Sequence, residues 1–323
     1  MRKKWTTYLV AAAMIVIVTM ACSSFASAAD GGKEIIIGYS VMRMSDEYFN
    51  NQTAGMLDAV KDLGGGNMKL ELADGNNDAQ TVIDNALSFL GRGASVLFMS
   101  PPDPSAAFPV LEAAAAAGVP VISCDIYVEG AYFLAHDDFA AGEMAGEYAA
   151  QMFEERFSGK APVVALIEHK AASDPCQKRI DGFIDAFQKV YPDAKFLPQY
   201  DAEGVREKGV TVMNDVITAN PDVNVVFSIN DDMALGCVSA IESRNMTNDI
   251  MVFGQGGCGL TTFEKIAEPD SPFIATIAFE PYQMGYDGIA KMALPLLNGE
   301  EIPDRFDGVL EVMTKENVSK WLQ

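Results

Sequence analysis

Four short apolar runs decide the fold of this chain. They are Ile35-Ile36-Ile37-Gly38-Tyr39, residues 68–73, Val96-Leu97-Phe98-Met99-Ser100 and residues 119–125. Between the runs, apolar residues recur at helical spacing, and Gly64-Gly65-Gly66 ends the first of these helices. Short strands that alternate with helices form βαβ units, so the pattern predicts a parallel sheet.

The same alternation continues in the second half of the chain. It predicts strands at 163–168, 194–197, 223–229, 251–254 and 274–278, with helices near 177–190, 206–219, 232–245 and 260–267. We therefore predict an α/β protein with two doubly wound, parallel-sheet, Rossmann-like lobes. Ligands of such folds bind beyond the carboxyl ends of the strands, in a crevice between loops.

The N-terminus predicts export. Met1-Arg2-Lys3-Lys4 is a positive segment, residues 9–21 are almost entirely apolar, and Ala26-Ser27-Ala28 has the small-x-small pattern of a signal peptidase site. We interpret residues 1–28 as a cleaved signal peptide because the apolar run is shorter than the ~20 residues that span a bilayer. A retained anchor and lipidation at Cys22 are the alternatives, and a periplasmic location follows from the first interpretation.

The amino-acid composition restricts the kinds of partner and ligand that the protein is expected to bind. The chain has 45 acidic and 23 basic residues, for a net charge of −22, which disfavours nucleic acid, anionic membranes and anionic ligands. Cys124, Cys176, Cys237 and Cys258 follow the predicted signal peptide, and a disulfide between Cys176 and Cys258 is one pairing that the sequence leaves open. With two histidines and no CxxC pair, we expect neither a metal site nor a cofactor.

Four motifs identify a family. Asn230-Asp231-Asp232-Met233-Ala234-Leu235-Gly236 resembles the ND-x-MALG signature of type I periplasmic sugar-binding proteins, the ribose-binding group of ABC transporter substrate-binding proteins. Ser40 with Asp46-Glu47-Tyr48-Phe49, the segment 118–125, and Ala275-Thr276-Ile277-Ala278 with Gln283-Met284-Gly285 resemble further family motifs, in order and spacing. The resemblance covers residues 33 to about 312.

The resemblance implies a particular domain organisation. An N-terminal lobe of residues 33–136 and 280–308 and a C-terminal lobe of 137–279 and 309–323 would be joined by a three-segment hinge. The hinge candidates are His136-Asp137-Asp138, Phe279-Glu280-Pro281 and Gly308. Such lobes close around a ligand by hinge motion.

The resemblance also implies the binding site. Its candidate ligand-binding residues are Ser40, Asp46, Tyr48, Phe49, Asp125, Gln177, Asn230, Gln255 and Phe279. Carboxylate and amide groups satisfy sugar hydroxyls, while aromatic rings cover the C–H face of the sugar. Structural alternatives stay open for three of these positions: Asp125 as a cap or hinge residue, Asn230 as a helix cap, and one of the Tyr48 and Phe49 rings as core.

Departures from the ribose-binding pattern redirect the choice of ligand. Ribose binders have an arginine directly after the aspartate that corresponds to Asp125, whereas this chain has Ile126. Gln177 stands in place of a second arginine, although Arg179 lies close by in the sequence. Gln255 stands in place of an aspartate and Phe279 in place of a glutamine. Without those arginines an anionic sugar is a poor ligand. We predict a small neutral polyhydroxy ligand: a monosaccharide, deoxy sugar or polyol.

The leading functional interpretation is a monomeric, non-enzymatic solute-binding protein that delivers its ligand to the permease subunits of an ABC importer. One alternative is a sensory binding protein that presents the ligand to a chemoreceptor or histidine kinase. Another is an exported α/β hydrolase, although the sequence has no GxSxG, Walker A or HExxH motif. The glycine-rich segment 254–259 lies far from the early βαβ position of a dinucleotide site.

Overall fold

The computed structural model describes residues 34–170, 174–257 and 259–322, without the side chain of Asp174. The predicted signal peptide, the lipidation candidate Cys22 and the pairing candidate Cys258 lie outside the described residues.

The N-terminal part of the described chain alternates strands and helices as the sequence predicts up to residue 124, and it adds a strand at Tyr132–Ala135 that was not predicted. Its elements are β1 (Ile35–Val41), α1 (Glu47–Leu63), β2 (Met68–Asp74), α2 (Ala79–Gly91), β3 (Val96–Met99), α3 (Phe108–Ala117), β4 (Val121–Cys124) and β5 (Tyr132–Ala135). β1 pairs in parallel with both β2 and β3, and β4 pairs in parallel with β3 and β5. Most of the β-branched and aromatic residues of β1, β3 and β4 are buried, as in parallel sheets that are covered on both faces.

The rest of the chain builds a second sheet and then returns to the first. Its elements are α4 (Asp138–Phe157), β6 (Val163–Glu168), α5 (Asp174–Val190), β7 (Lys195–Asp201), α6 (Arg206–Ala219), β8 (Val225–Ser228), α7 (Asp231–Ser243), β9 (Met251–Gly256), α8 (Leu260–Ala267), β10 (Phe273–Ala278), α9 (Pro281–Asp287), α10 (Leu294–Leu297), β11 (Arg305–Asp307) and β12 (Glu311–Thr314).

Within the described residues, the strands form two sheets of six. The strand order is β11-β5-β4-β3-β1-β2 in the N-terminal sheet and β12-β10-β9-β8-β6-β7 in the C-terminal sheet. All pairings are parallel except that of β10 with β12. Separate clusters of buried apolar residues lie against the two sheets. The described chain passes between the sheets after β5, after β10 and after β11.

Close helix pairs set the positions of the cleft residues. Gly142 on α4 lies against the backbone of Arg179 on α5, where a Cβ would clash with the carbonyl oxygen. Gly55 on α1 and Gly285 on α9 make the same kind of contact, with the backbone of Tyr282 and Gln52 respectively. Because these glycines carry no Cβ, the helix axes come close enough to bring Arg179 and Gln52 to their partners.

The structure contains elements that the pattern did not predict. α4 was missed because its buried face carries small residues such as Ala141, Gly142 and Ala145, which give a weak apolar stripe. β11 and β12 were missed because they are short and partly exposed, with Arg305 and Asp307 both exposed. The strand predicted at 194–197 is longer, Lys195–Asp201.

Candidate functional site

A cleft of about 650 Å³ lies where the carboxyl ends of strands from both sheets meet. Six of the nine predicted site residues line it: Asp46, Tyr48, Asp125, Asn230, Gln255 and Phe279. Asp125 follows β4, Asn230 follows β8, Gln255 is the penultimate residue of β9, and Phe279 follows β10. This is the place at which open α/β sheets bind ligands.

Asp125 is the acceptor on the N-terminal side of the cleft. Its backbone has φ 64°, a strained value for a residue with a Cβ, and its N–H donates to Leu134 O at 2.9 Å. The carboxylate accepts from Tyr48 OH at 2.6 Å and from Gln52 Nε2 at 3.1 Å. Burial raises the pKa of Asp125 to about 6, and these two hydrogen bonds act in the opposite direction.

The first turn of α1 supplies the aromatic ring of the site. Tyr48 lines the cleft, whereas Phe49 is 7% exposed and packs in the core of the N-terminal sheet. The two rings meet edge to face with centroids 5.3 Å apart. Asp46 caps the helix by accepting from Tyr48 N at 3.0 Å and forms an ion pair with Arg43 at 2.7 Å. One ring of the predicted pair therefore faces the cleft, and the other is core.

A stack of side chains lies where two crossings between the sheets meet. The His136 ring lies on Phe279 with centroids 4.7 Å apart, and the Arg179 guanidinium lies 4.6 Å from the centre of the same ring. His136 Nε2 is 2.7 Å from Phe279 O, and since a carbonyl only accepts, Nε2 carries the proton. Burial lowers the pKa of His136 to about 4, so the ring is neutral at pH 7. Arg179 Nε donates to Asp138 Oδ1 at 2.8 Å.

Asn230 and Asp231 organise the C-terminal side of the cleft. Asn230 Oδ1 caps α7 by accepting from Met233 N at 2.9 Å, and its Nδ2 donates to Gly204 O at 3.0 Å. Asp231 accepts from Gly257 N and from Thr276 Oγ1, each at 2.7 Å. Burial raises the pKa of Asp231 to about 6. The structural alternative for Asn230 is thus present, since Asn230 itself and not Asp231 caps the helix.

Gln255 stands out among the lining residues. Its side chain is fully buried, with an exposure of 0%, and neither Oε1 nor Nε2 has a hydrogen-bond partner among the described protein atoms. An amide group accepts two hydrogen bonds and donates two, and leaving it unpaired costs about 1–3 kcal/mol. Because Gln255 lines the cleft, its unpaired amide is a candidate partner for a ligand that both donates and accepts.

Three predicted site residues lie elsewhere. Ser40 is fully buried below the cleft, with Oγ donating to Val82 O at 2.8 Å, and Phe49 lies in the core. Gln177 is exposed on α5 and donates to Asp181 at 2.7 Å, so it does not reach the cleft. Arg179, two residues later on the same helix, lines the cleft instead. Side chains two positions apart on a helix point in different directions, so only one of the two can face the cleft.

Other residues around the cleft were not predicted as site residues: Gln52, His136, Asp138, Arg179 and Asp231. Gln52 follows Tyr48 by four positions, which places both side chains on one face of α1. That spacing was the available signal. The contact of Gln52 with Asp125 joins residues 73 positions apart and has no signal in one sequence.

The described cysteines are free thiols: Cys124 and Cys237 are buried, and Cys176 is partly buried. Burial raises the pKa of both Cys124 and Cys237. Among the described residues, no group of histidine, cysteine and acidic side chains could hold a metal ion. In the same part of the chain, no helix has the length and apolar character of a membrane span.

The fold and the cleft define an α/β protein with two parallel-dominated sheets and a polar cleft at the carboxyl ends of their strands. The chain belongs to the periplasmic binding protein family, since residues 37–301 match the model of the periplasmic binding protein domain. The predicted family and the predicted fold class are thereby confirmed.

Curated relatives agree with this assignment. The chain is 30% identical to the ribose import binding protein of Bacillus subtilis over 289 residues, 88% of each chain. It is also 30% identical to the ribose import binding protein of Escherichia coli over 252 residues, 76% of this chain and 80% of the relative.

A solved structure is similar as well. An ABC transporter solute-binding protein from Mycobacterium smegmatis with bound glycerol superimposes with a TM-score of 0.77 at 29% identity. The match covers 90% of this chain and 97% of that one. The family, the relatives and the fold therefore agree.

Proposed function

We propose that this chain is the solute-binding subunit of an ABC importer and captures a small neutral polyhydroxy ligand, such as a monosaccharide, deoxy sugar or polyol. The observation that carries the proposal is Gln255, whose buried amide has no partner among the described protein atoms. Hydroxyl groups both donate and accept, so they match a carboxamide on one side of the cleft and the Asp125 carboxylate on the other. The names of the ribose import relatives support the same class.

The charges of the cleft favour a neutral ligand over an anion. Each arginine in the described lining forms an ion pair with an aspartate of the same lining. The pairs are Arg43–Asp46 at 2.7 Å, Arg179–Asp138 at 2.8 Å and Arg206–Asp232 at 3.1 Å. Glu47, Asp125 and Asp231 remain as additional acidic groups. A carboxylate or phosphate ligand would therefore meet net negative charge.

The proposal includes closure of two lobes, residues 33–136 with 280–308 and residues 137–279 with 309–323. The three passages of the described chain between the sheets support it. The stack of His136, Phe279 and Arg179 connects the first and second passages with the cleft wall. Closure would bring Gln255 and Asp125 onto one ligand.

The proposal also includes export of the protein and its permease partners. A cleaved signal peptide at residues 1–28, or a lipid on Cys22, would deliver the chain to the periplasm as a monomer that docks on permease subunits. We propose that the ligand leaves unchanged, because the obvious nucleophiles are poor: the pKa of the Cys124 and Cys237 thiols is raised and His136 is committed to Phe279 O. The family is one of binding proteins.

A thermal-shift screen of residues 29–323 with D-ribose, D-allose, myo-inositol and glycerol tests the proposal. Binding adds RT ln(1 + [L]/Kd) to the free energy of unfolding, about 2.7 kcal/mol at one hundred times Kd. We expect at least one probe to raise the Tm, with calorimetry giving one site per chain. No shift with any probe, or release of p-nitrophenol from nitrophenyl glycosides, would contradict the proposal.

Asp125→Ala tests the site itself. Removing the carboxylate leaves ligand hydroxyls unpaired, so the Kd for the probe that binds best is expected to rise about tenfold or more. Asp78→Ala is the matched control, because Asp78 caps α2 away from the cleft. That variant should lose stability and keep the affinity. Equal affinities in the wild type and in Asp125→Ala would remove Asp125 from the site.

A further inference from the structure

A line of buried polar side chains runs below the cleft from the core of the N-terminal sheet to Asp125. Ser100, Tyr39 and Gln52 each have an exposure of 0%. Ser100 Oγ lies 2.8 Å from Tyr39 OH, and Tyr39 OH lies 2.5 Å from Gln52 Oε1. Gln52 Nε2 then reaches Asp125 Oδ2 at 3.1 Å. A polar line of this kind in a core is costly unless every member is paired.

The hydrogen bonds along this line run in one direction. Tyr39 donates its single proton to Gln52 Oε1, so the Ser100 hydroxyl must donate to Tyr39. Burial holds the pKa of Tyr39 well above its usual value, so the phenol keeps that proton. Because the carbonyl oxygen of Gln52 is fixed by Tyr39, its NH₂ group is the end that faces Asp125. This row of hydrogen bonds therefore directs the Gln52 NH₂ donor at the Asp125 carboxylate.

α1 and α9 hold the amide in place. Gly285 of α9 contacts the backbone of Gln52 directly, and Met284 Sδ lies 3.8 Å from Gln52 Nε2 and 3.4 Å from Tyr48 OH. Tyr48 supplies the second donor to Asp125 from one turn earlier on α1. One helix thus positions both donors, and its close packing on α9 leaves the amide little freedom to rotate.

The direct side-chain hydrogen bonds of the Asp125 carboxylate come from neutral donors. Asp138 of α4 raises the pKa of Asp125 and Arg179 of α5 lowers it, both at longer range and with smaller effect than burial and the hydrogen bonds from Tyr48 and Gln52. Two further titratable neighbours are uncharged: His136 beside Tyr48, and Cys124 with its raised pKa. The hydrogen bonds from α1 are thus the main local force that favours the ionised acceptor.

We infer that Gln52, oriented by Tyr39 and Ser100, is a positioning residue that fixes the Asp125 carboxylate and keeps it in its accepting form for the ligand. The inference rests on the proposed function. Its consequence is a specific pH dependence. As the pH falls through about 6, the Asp125 carboxyl takes up a proton, loses accepting capacity, and the affinity falls. Without the donor from Gln52, this loss should begin at a higher pH.

Gln52→Met is the test, because methionine has a similar length and no donor. The titration of Asp125 is followed in the unliganded protein by the ¹³C signal of its carboxyl carbon, which Asp125→Asn assigns by its disappearance. We expect the midpoint to rise by about one pH unit. At pH 7 this shift lowers the ionised fraction of Asp125 from about 0.9 to about 0.5. The Kd for the sugar or polyol that gives the largest Tm shift in the four-probe screen should therefore rise about twofold at pH 7 and hardly change at pH 8.5.

Thr53→Val is the matched control, since Thr53 is buried beside Gln52 on α1 and its Oγ1 donates to Asn50 O of the same helix at 3.0 Å. It should keep both the midpoint and the affinity. If Gln52→Met does not fold, Tyr39→Phe frees the amide to rotate and should give a smaller shift in the same direction. An unchanged midpoint in the folded variants overturns the inference. Should no probe bind the wild type, the proposed function fails, while the titration still decides the role of Gln52.

Discussion

Asp125 and Asp231 lie on the two sides of the cleft, each just beyond a parallel strand, and burial raises the pKa of both to about 6. Their surroundings differ. Asp125 accepts from two side chains of α1, whereas Asp231 accepts from the backbone of Gly257 and from Thr276 on β10. The first set of partners holds a carboxylate at the cleft surface. The second ties α7 to the loop after β9 and to β10.

The difference teaches that a perturbed pKa in a cleft does not identify the group that binds a ligand. Perturbed acids occur at functional sites and in structural networks alike. Each carboxylate accepts two hydrogen bonds, but those of Asp231 connect α7 to the loop after β9 and to β10, and Asn230 beside it caps α7. On that side of the cleft it is Gln255 that lacks protein partners. We therefore expect Asp231 to have a structural role, and Asp125 and Gln255 to bind the ligand.

The largest expected effect is on stability, in Asp231→Ala. The substitution leaves the Gly257 N–H and the Thr276 hydroxyl without their acceptor, which should lower the free energy of unfolding by about 2–4 kcal/mol. Urea unfolding followed by circular dichroism measures the loss as a lower midpoint with an unchanged slope. A folded, fully stable Asp231→Ala protein that has lost its affinity would reverse the comparison.

Asp231→Asn is the conservative partner of that variant. Its amide oxygen still accepts from Gly257 N–H, and the Thr276 hydroxyl can turn to accept, so the loss should stay below about 1 kcal/mol. The pH dependence has a definite sign. Because the pKa of Asp231 is raised to about 6, the native state holds a proton that the unfolded chain has released between about pH 4 and 6. The stability that this group gives the wild type is lost as the pH rises through that window. The free energy of unfolding of Asp231→Asn should therefore increase relative to that of the wild type as the pH rises from about 4 to 6.

Gln255→Leu should move stability and affinity in opposite directions. Replacing an unpaired buried amide with an apolar side chain of similar size is expected to raise the free energy of unfolding of the unliganded protein by about 1 kcal/mol. The affinity for the probe that binds best should fall about tenfold, because ligand hydroxyls lose their partner. Melting curves with and without the probe give both quantities. A destabilised Gln255→Leu protein would mean that the amide already has partners within the fold.

The smallest expected effect is in Gln177→Ala. Gln177 is exposed and bonds Asp181 on its own helix, and substitutions at such positions change stability by at most about 0.5 kcal/mol. Calorimetry should give a Kd within about twofold of the wild type. A large loss of affinity would restore Gln177 to the site and would imply that α5 rotates or shifts when the cleft closes.

The fold was predictable to the extent that it depends on local pattern. The runs at 35–39, 96–100 and 223–229 became β1, β3 and β8 because continuous apolar segments between helical patterns are typical of buried parallel strands. β11 and β12 escaped because three or four half-exposed residues have no period to detect. Their pairing with β5 and β10 is a contact between distant parts of the chain.

The cleft was predictable in outline only. The resemblance to sugar-binding proteins implied Asp125, Asn230 and Gln255 as site residues, and all three line the cleft at the carboxyl-end edge of the sheets. Choosing between Gln177 and Arg179 required the rotation of α5, which the contact of Gly142 with the Arg179 backbone sets. Ser40 lies in the core and not in the cleft for a similar reason, since the direction of its side chain depends on the pleat of β1 within the sheet.

The sequence by itself determined the alternation of strands and helices, the family, and the positions at which polar residues follow strands, because these depend on spacing along the chain. The tertiary structure alone decided which polar groups are satisfied by the protein. Asn230 and Asp231 have their partners, Gln255 has none among the described protein atoms, and Asp125 receives a donor from Gln52. Those distinctions depend on contacts between residues far apart in the chain, which form only when the helices pack on the sheets.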